Sequence, residues 1–265
     1  MDFADKLARG WATTGSRLCV GLDPLVERFP ARFASESRPI LAFNKHVVDA
    51  VGDLACAFKP QAAHHAAYGA ERDLEDTIAY IRENAPHAVV ILDAKRGDIG
   101  STAELYVREA FDRYDADAVT VNPYLGDDSV LPFLERPDRG AVVLCRTSNA
   151  DASRFQDATI GDDPVYIAVA RRAETVWNHN RNVMLVVGAT KIDDLARVRD
   201  AAPSLAFLVP GIGEQGGDSS DVLCVGLRAD GQGLVVSASR SILYAGDGDA
   251  IRAAARAAHR ELSAP

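Results

Sequence analysis

Lysine is scarce in this chain: Lys6, Lys45, Lys59, Lys95 and Lys191 are the only five among 29 basic residues, and the other 24 are arginine. A GC-rich genome, which encodes Arg, Ala, Asp and Gly readily, explains this more simply than adaptation to salt. A net charge of −9 is modest for 265 residues. The scarcity draws attention to any lysine at the end of a strand. Long apolar runs are missing too: each is broken within about eight residues by charge, Gly or Pro, so no segment can span a bilayer. The start, Met1-Asp2-Phe3-Ala4-Asp5-Lys6, lacks the basic residues and apolar stretch of a secretory signal, and a cytoplasmic protein is expected. The acidic balance, with a pI near 5.2, argues against nucleic acid or anionic membrane as a partner.

Paired cysteine motifs are absent. Cys19, Cys56, Cys145 and Cys224 form no C-x-x-C, and three of them sit in apolar strand-like runs, so buried free thiols are expected rather than disulfides or a zinc site. The turn after the first strand reads Gly21-Leu22-Asp23-Pro24 rather than G-x-G-x-x-G, and nothing resembles a Walker loop. No low-complexity linker divides the chain.

Short β-rich runs alternate with longer amphipathic ones. Candidate strands cover 18–23, 55–60, 88–95, 118–123, 141–147, 183–189, 205–212 and 234–239. They are continuously apolar, as strands of a parallel sheet covered by helices should be. Candidate helices cover 38–53, 71–84, 102–113, 164–178, 192–201 and 251–262, with a further one at 3–11. Ser101-Thr102-Ala103-Glu104 resembles a capping box that would start the third helix. This alternation predicts an α/β fold: a single (β/α)8 TIM barrel over 1–265, with an extra N-terminal helix covering one end.

Active sites of such barrels lie at the C-terminal ends of the strands. Those ends carry Asp23, Lys59, Asp93 and Lys95, Asn122, Ser148, the segment 210–217, and Arg240. Lys59, Asp93, Lys95 and Asp98 together are hard to explain as isolated salt bridges or caps. Asp93 and Lys95 are two apart on a strand, so their side chains should face the same way. A lysine between carboxylates is held protonated, which suits a proton donor. The array holds no activated nucleophile and no His/Glu metal cluster, so no cofactor and no metal are expected. After the seventh strand, Pro210-Gly211-Ile212-Gly213-Glu214-Gln215-Gly216-Gly217 offers backbone N–H groups to an anion, and Arg240 follows the eighth. A phosphate site is expected there.

The segment Leu92-Asp93-Ala94-Lys95-Arg96-Gly97-Asp98-Ile99 closely resembles the D-x-K-x-x-D signature of orotidine 5′-phosphate decarboxylases. Four further segments resemble the longer, second subfamily: Val20-Gly21-Leu22-Asp23-Pro24, Phe58-Lys59-Pro60-Gln61, Thr120-Val121-Asn122-Pro123-Tyr124-Leu125-Gly126 and Arg146-Thr147-Ser148-Asn149. The glycine-rich 210–217 joins them. The resemblance implies conversion of orotidine 5′-monophosphate to UMP and CO2. It places Asp93 beside the substrate carboxylate and makes Lys95 the group that stabilises the C6 carbanion and protonates it. It implies a homodimer in which Asp98 and Thr102 reach the partner's site. Asp23 and Lys59 would bind ribose, Lys59 also holding Asp93. Ser148 would read the pyrimidine edge, and Gln215, backbone near Gly213 and Arg240 would hold phosphate. The loops after the fifth and seventh strands, 146–163 in the first case, are expected to close over the substrate.

Two segments depart from the pattern. Ala62-Ala63-His64-His65-Ala66 replaces aromatic residues and an acid, and adjacent histidines do not share a helix face, so structural roles are expected. Ser237-Ala238 replaces a commoner Asn-Ser pair before Arg240. Two rival functions fit such a barrel: a metal-dependent hexulose-phosphate synthase-like lyase, and a non-catalytic nucleotide-binding barrel.

Overall fold

Apolar residues at successive positions of a strand require cover on both faces, and a barrel wrapped in helices supplies it. The computed structural model describes residues 1–33, 35–211 and 218–263. Its strands are β1 (Leu18–Leu22), β2 (Ala57–Pro60), β3 (Val89–Arg96), β4 (Ala118–Val121), β5 (Gly140–Arg146), β6 (Thr159–Ile160), β7 (Asp163–Pro164), β8 (Val183–Val187), β9 (Ala206–Pro210) and β10 (Leu234–Ala238). β6 and β7 form a small antiparallel pair. The other eight close a parallel barrel in the order β1-β10-β9-β8-β5-β4-β3-β2. Each coincides with an expected strand to within two residues at either end.

The helices are α1 (Phe3–Thr14), α2 (Pro39–Val51), α3 (Ala62–Ala66), α4 (Glu71–Asn84), α5 (Gly100–Arg108), α6 (Ser153–Gln156), α7 (Val165–Arg172), α8 (Ile192–Ala201), α9 (Ser219–Gly226), α10 (Arg240–Leu243) and α11 (Gly248–Glu261). α5 and α7 each run on into a π turn, Glu109–Arg113 and Ala173–Trp177. None among the described residues is long and apolar enough to cross a membrane.

Alternate strand residues divide the core into two layers. Val20, Phe58, Val90, Leu92, Val119, Val143 and Leu185 face the helices. Cys19, Ala57, Val89, Ile91, Ala118, Val142, Met184, Leu208 and Val235 fill the barrel interior. Burial there pushes the Cys19 thiol up to about 12, so it packs as a small neutral hydrophobe. α1 closes the N-terminal end of the barrel with Phe3, Leu7 and Trp11, whose indole Nε1 donates to Leu234 O at 2.8 Å. Gly140 leaves room for the Phe3 ring, which a Cβ would meet at 2.5 Å. With one end of the barrel closed, the mouth at the other end is left for chemistry.

The expected capping box does not form. α5 begins at Gly100, and Ile99 stands at its cap with no side-chain hydrogen bond. The chain enters the helix through Gly100 at φ 54°, which carries Ser101 past the cap position into the first turn.

Candidate active site

β3 ends an apolar run in three charged residues, Asp93, Lys95 and Arg96. Its register against β4 shifts between Leu92 and Arg96, and Lys95 adopts φ 47°. A left-handed lysine costs about 1–2 kcal/mol and needs specific support. Thr120 on β4 supplies it: its Oγ1 accepts from Ala94 N at 3.0 Å and Lys95 N at 2.8 Å, and donates to Asp93 Oδ1 at 3.0 Å. Lys95 Nζ then lies 2.6 Å from the same Oδ1. Asp93 and Lys95 therefore meet through a bulge held by Thr120, not through the simple two-residue alternation that the sequence suggests. Arg96 turns outward into a two-point ion pair with Glu109.

Lys59, at the end of β2, completes the group. Its Nζ donates to Asp93 Oδ2 at 2.9 Å and lies 3.6 Å from Asp23 Oδ1 at the end of β1. Asp93 and Lys59 are buried, whereas the Lys95 side chain is half exposed at the mouth. Burial by itself would raise the Asp93 carboxyl, but the charges of Lys59 and Lys95 and their hydrogen bonds hold it well below the usual carboxylate range. Burial would lower the Lys59 ammonium, and Asp23 and Asp93 more than reverse this, leaving it raised. Both groups are therefore charged across the neutral range.

The sign of the pH dependence follows. The depressed Asp93 contributes stability that is present above its unfolded value of about 4 and lost as pH falls towards its folded value. Lys59, being raised, contributes stability present below about 10.5 and lost only as pH rises beyond that. In urea titrations, acidification from about pH 6 to about pH 2 should cost the wild type about 2–3 kcal/mol more than Asp93→Asn. Equal losses in both proteins would contradict the charged array.

A pocket of about 180 Å³ opens above these charges, lined by Lys59, Asp93, Lys95 and Thr120 on one side and by Thr147, Ser148 and Asn149 on another. Leu144, Val186, Leu208 and Pro210 give it an apolar floor. Ser148 presses against Gly188, where a Cβ would come within 2.9 Å of it. Asp23 Oδ1 is buried and makes no hydrogen bond, facing the Lys59 ammonium at 3.6 Å.

The structure thus brings together Asp23, Lys59, Asp93, Lys95 and Ser148. It does not bring Asp98 to them. That residue lies in the turn entering α5, where its Oδ1 accepts from Ile99 N at 2.8 Å, and neither it nor the exposed Thr102 lines the pocket. Of the four charges, Lys59, Asp93 and Lys95 line one pocket and Asp98 does not. Arg240 opens α10, immediately after β10. Gly213 and Gln215 lie outside the described residues. Ser237 is buried on β10, in register with Cys19 of β1. His65 is buried, its Nδ1 2.9 Å from Gln61 O and its Nε2 3.2 Å from Asn44 Nδ2, and His64 Nδ1 lies 3.0 Å from Pro24 O. Both brace the segments flanking β2. Thr120 is the residue that sequence reasoning missed; a hydroxyl amid the apolar run of β4 was its signal.

The profile of the family described as "Orotidine 5'-phosphate decarboxylase / HUMPS family" matches residues 16–257. A protein of Cellvibrio japonicus named orotidine 5′-phosphate decarboxylase is 51% identical over 259 residues, spanning 97% of this chain and 95% of its own. One of the same name from Ralstonia nicotianae is 49% identical over 267 residues, spanning 99% and 98%. The solved structure of Leishmania donovani OMP decarboxylase superposes with a TM-score of 0.86 at 42% identity, covering 99% of this chain and 97% of that one.

Proposed function

The chain belongs to the orotidine 5′-phosphate decarboxylase / HUMPS family, and from that premise we propose how it works as a carboxy-lyase converting orotidine 5′-monophosphate to UMP and CO2 in pyrimidine biosynthesis. The observation that carries the mechanism is the Asp93 carboxylate gripped between Lys59 at 2.9 Å and Lys95 at 2.6 Å beside a pocket with an apolar floor.

Breaking the bond to CO2 leaves an electron pair at C6 that the ring delocalises poorly. The site must therefore hold positive charge in place beforehand. Lys95 supplies that charge and then gives a proton to C6, recovering one from water at the exposed mouth. Asp93 faces the substrate carboxylate, and the repulsion is relieved as neutral CO2 departs. Lys59 keeps Asp93 in position, and the Asp23 carboxylate takes a ribose hydroxyl. Ser148 reads the base. Gln215, backbone near Gly213 and Arg240 hold the phosphate, whose binding energy offsets the repulsion at the reacting end.

The protein acts as a homodimer in this reading, with Asp98 and Thr102 completing the partner's site. Support comes from apolar side chains left exposed at the start of α5 and along it, Ile99 at 53% and Leu105 at 58%, and in the turn after β4, Tyr124 at 71% and Leu125 at 51%.

Purified protein given orotidine 5′-monophosphate in excess chelator should form UMP and CO2 in equal amounts, at the rate seen without chelator. Loss of activity on metal removal would favour the metal-dependent lyase. UMP binding without turnover would favour the non-catalytic barrel.

A further inference from the structure

Arg146 ends β5 beside the pocket, yet the chemistry above gives it no task. Its guanidinium is buried and committed in two directions. Nε and Nη2 both lie 2.8 Å from Asp194 Oδ2 on α8, while Nη1 lies 2.8 Å from Asp157 Oδ1 and donates to Gln156 Oε1 at 3.4 Å. The Tyr166 ring lies beneath it at 4.8 Å, and the Tyr166 hydroxyl donates to Asp194 Oδ1. One buried cation thus ties the segment after β5 to α7 and α8 of the barrel's outer ring. A buried charge with several partners favours one arrangement of those partners, because leaving any of them unpaired is costly.

Gln156 carries this constraint back to the pocket. From α6 its Oε1 accepts from Thr147 N at 3.0 Å, and its Nε2 donates to Thr147 Oγ1 at 2.7 Å. Thr147 Oγ1 in turn donates to Asn149 Oδ1 at 2.7 Å. Ser148 stands between these two tied neighbours. Behind it is Gly188, whose N donates to Arg146 O at 2.8 Å and whose missing Cβ makes the space that Ser148 occupies.

We propose that Arg146 and Gln156 are positioning residues for base recognition, forming a clamp that sets Ser148 at the pocket edge before substrate arrives. The role rests on Ser148 reading the pyrimidine. It also revises the expected lid: residues 146–157 are a braced wall of the site rather than a freely closing flap. A neutral hydroxyl recognises an amide edge only within a narrow range of distance and angle, so its neighbours' hydrogen bonds matter as much as its own.

Gln156 is the better residue to change, being only half-buried on a four-residue helix at the surface. Gln156→Ala should raise KM for orotidine 5′-monophosphate about tenfold with little change in kcat, the effect of losing one well-placed hydrogen bond made in ground and transition states alike. Gln156→Glu keeps the acceptor for Thr147 N–H and Arg146 and should restore KM to within about threefold of wild type. Ribose 5-phosphate, which lacks a base, should inhibit all three proteins equally. In a Ser148→Ala background, Gln156→Ala should have almost no further effect. A full tenfold loss in that background, or an equal loss in ribose 5-phosphate binding, would overturn the clamp while leaving Ser148 as the base reader. Unchanged kinetics in Ser148→Ala alone would overturn the base reading and the clamp with it.

Discussion

Replacing Lys95 with alanine is expected to lower kcat by at least about 10⁴-fold while leaving the barrel folded. Proton transfer from a positioned acid contributes roughly 10²–10⁴, and a preset charge at a developing anion roughly 10²–10³. Lys95→Ala removes both at once. The fold should survive because the side chain is half exposed at the mouth, outside both core layers. Asp93 would still keep Lys59 and Thr120 as partners. Single-turnover assays with urea unfolding as a control measure the two effects separately. A folded Lys95→Ala enzyme with kcat within about tenfold of wild type would remove the proton-donor role.

Mixing two dead proteins should restore activity. If Asp98 acts in the partner's site, a dimer of one Lys95→Ala and one Asp98→Ala subunit holds one site with both defects and one with neither. Random exchange makes about half the dimers mixed, so about a quarter of wild-type activity should return. This is the other large expected effect, because each parent should be close to inactive. Its structural basis is the position of Asp98, outside the pocket lining and in the turn before exposed Ile99. Native mass spectrometry verifies the exchange. Mixed dimers without activity would place Asp98's contribution in its own subunit or nowhere.

The strands were legible because burial on both faces leaves a continuous apolar run, and a charge at the end of such a run marks the mouth. Asp23, Lys59, Asp93 and Lys95 were all found that way. How Lys95 reaches Asp93 was not. Period-two alternation assumes a regular strand, and the bulge depends on Thr120, which lies 25 residues further along the chain. Asp98 stands apart from its own subunit's pocket because the turn after β3 carries the chain into α5, and whether it serves the partner's site is the subject of the mixing experiment. The clamp left no sequence signature either. Arg146, Gln156 and Asp194 meet across an irregular segment and two separate elements, with no period to read.

Hydrogen exchange at C6 of UMP isolates the proton step from the loss of CO2, since by microscopic reversibility the group that protonates the carbanion must also remove that proton. NMR of UMP incubated with the wild-type protein in D2O should show deuterium appearing at C6, with none in Lys95→Ala above the protein-free control. Exchange in Lys95→Ala at the wild-type rate would contradict the account, because some other group would then carry the proton.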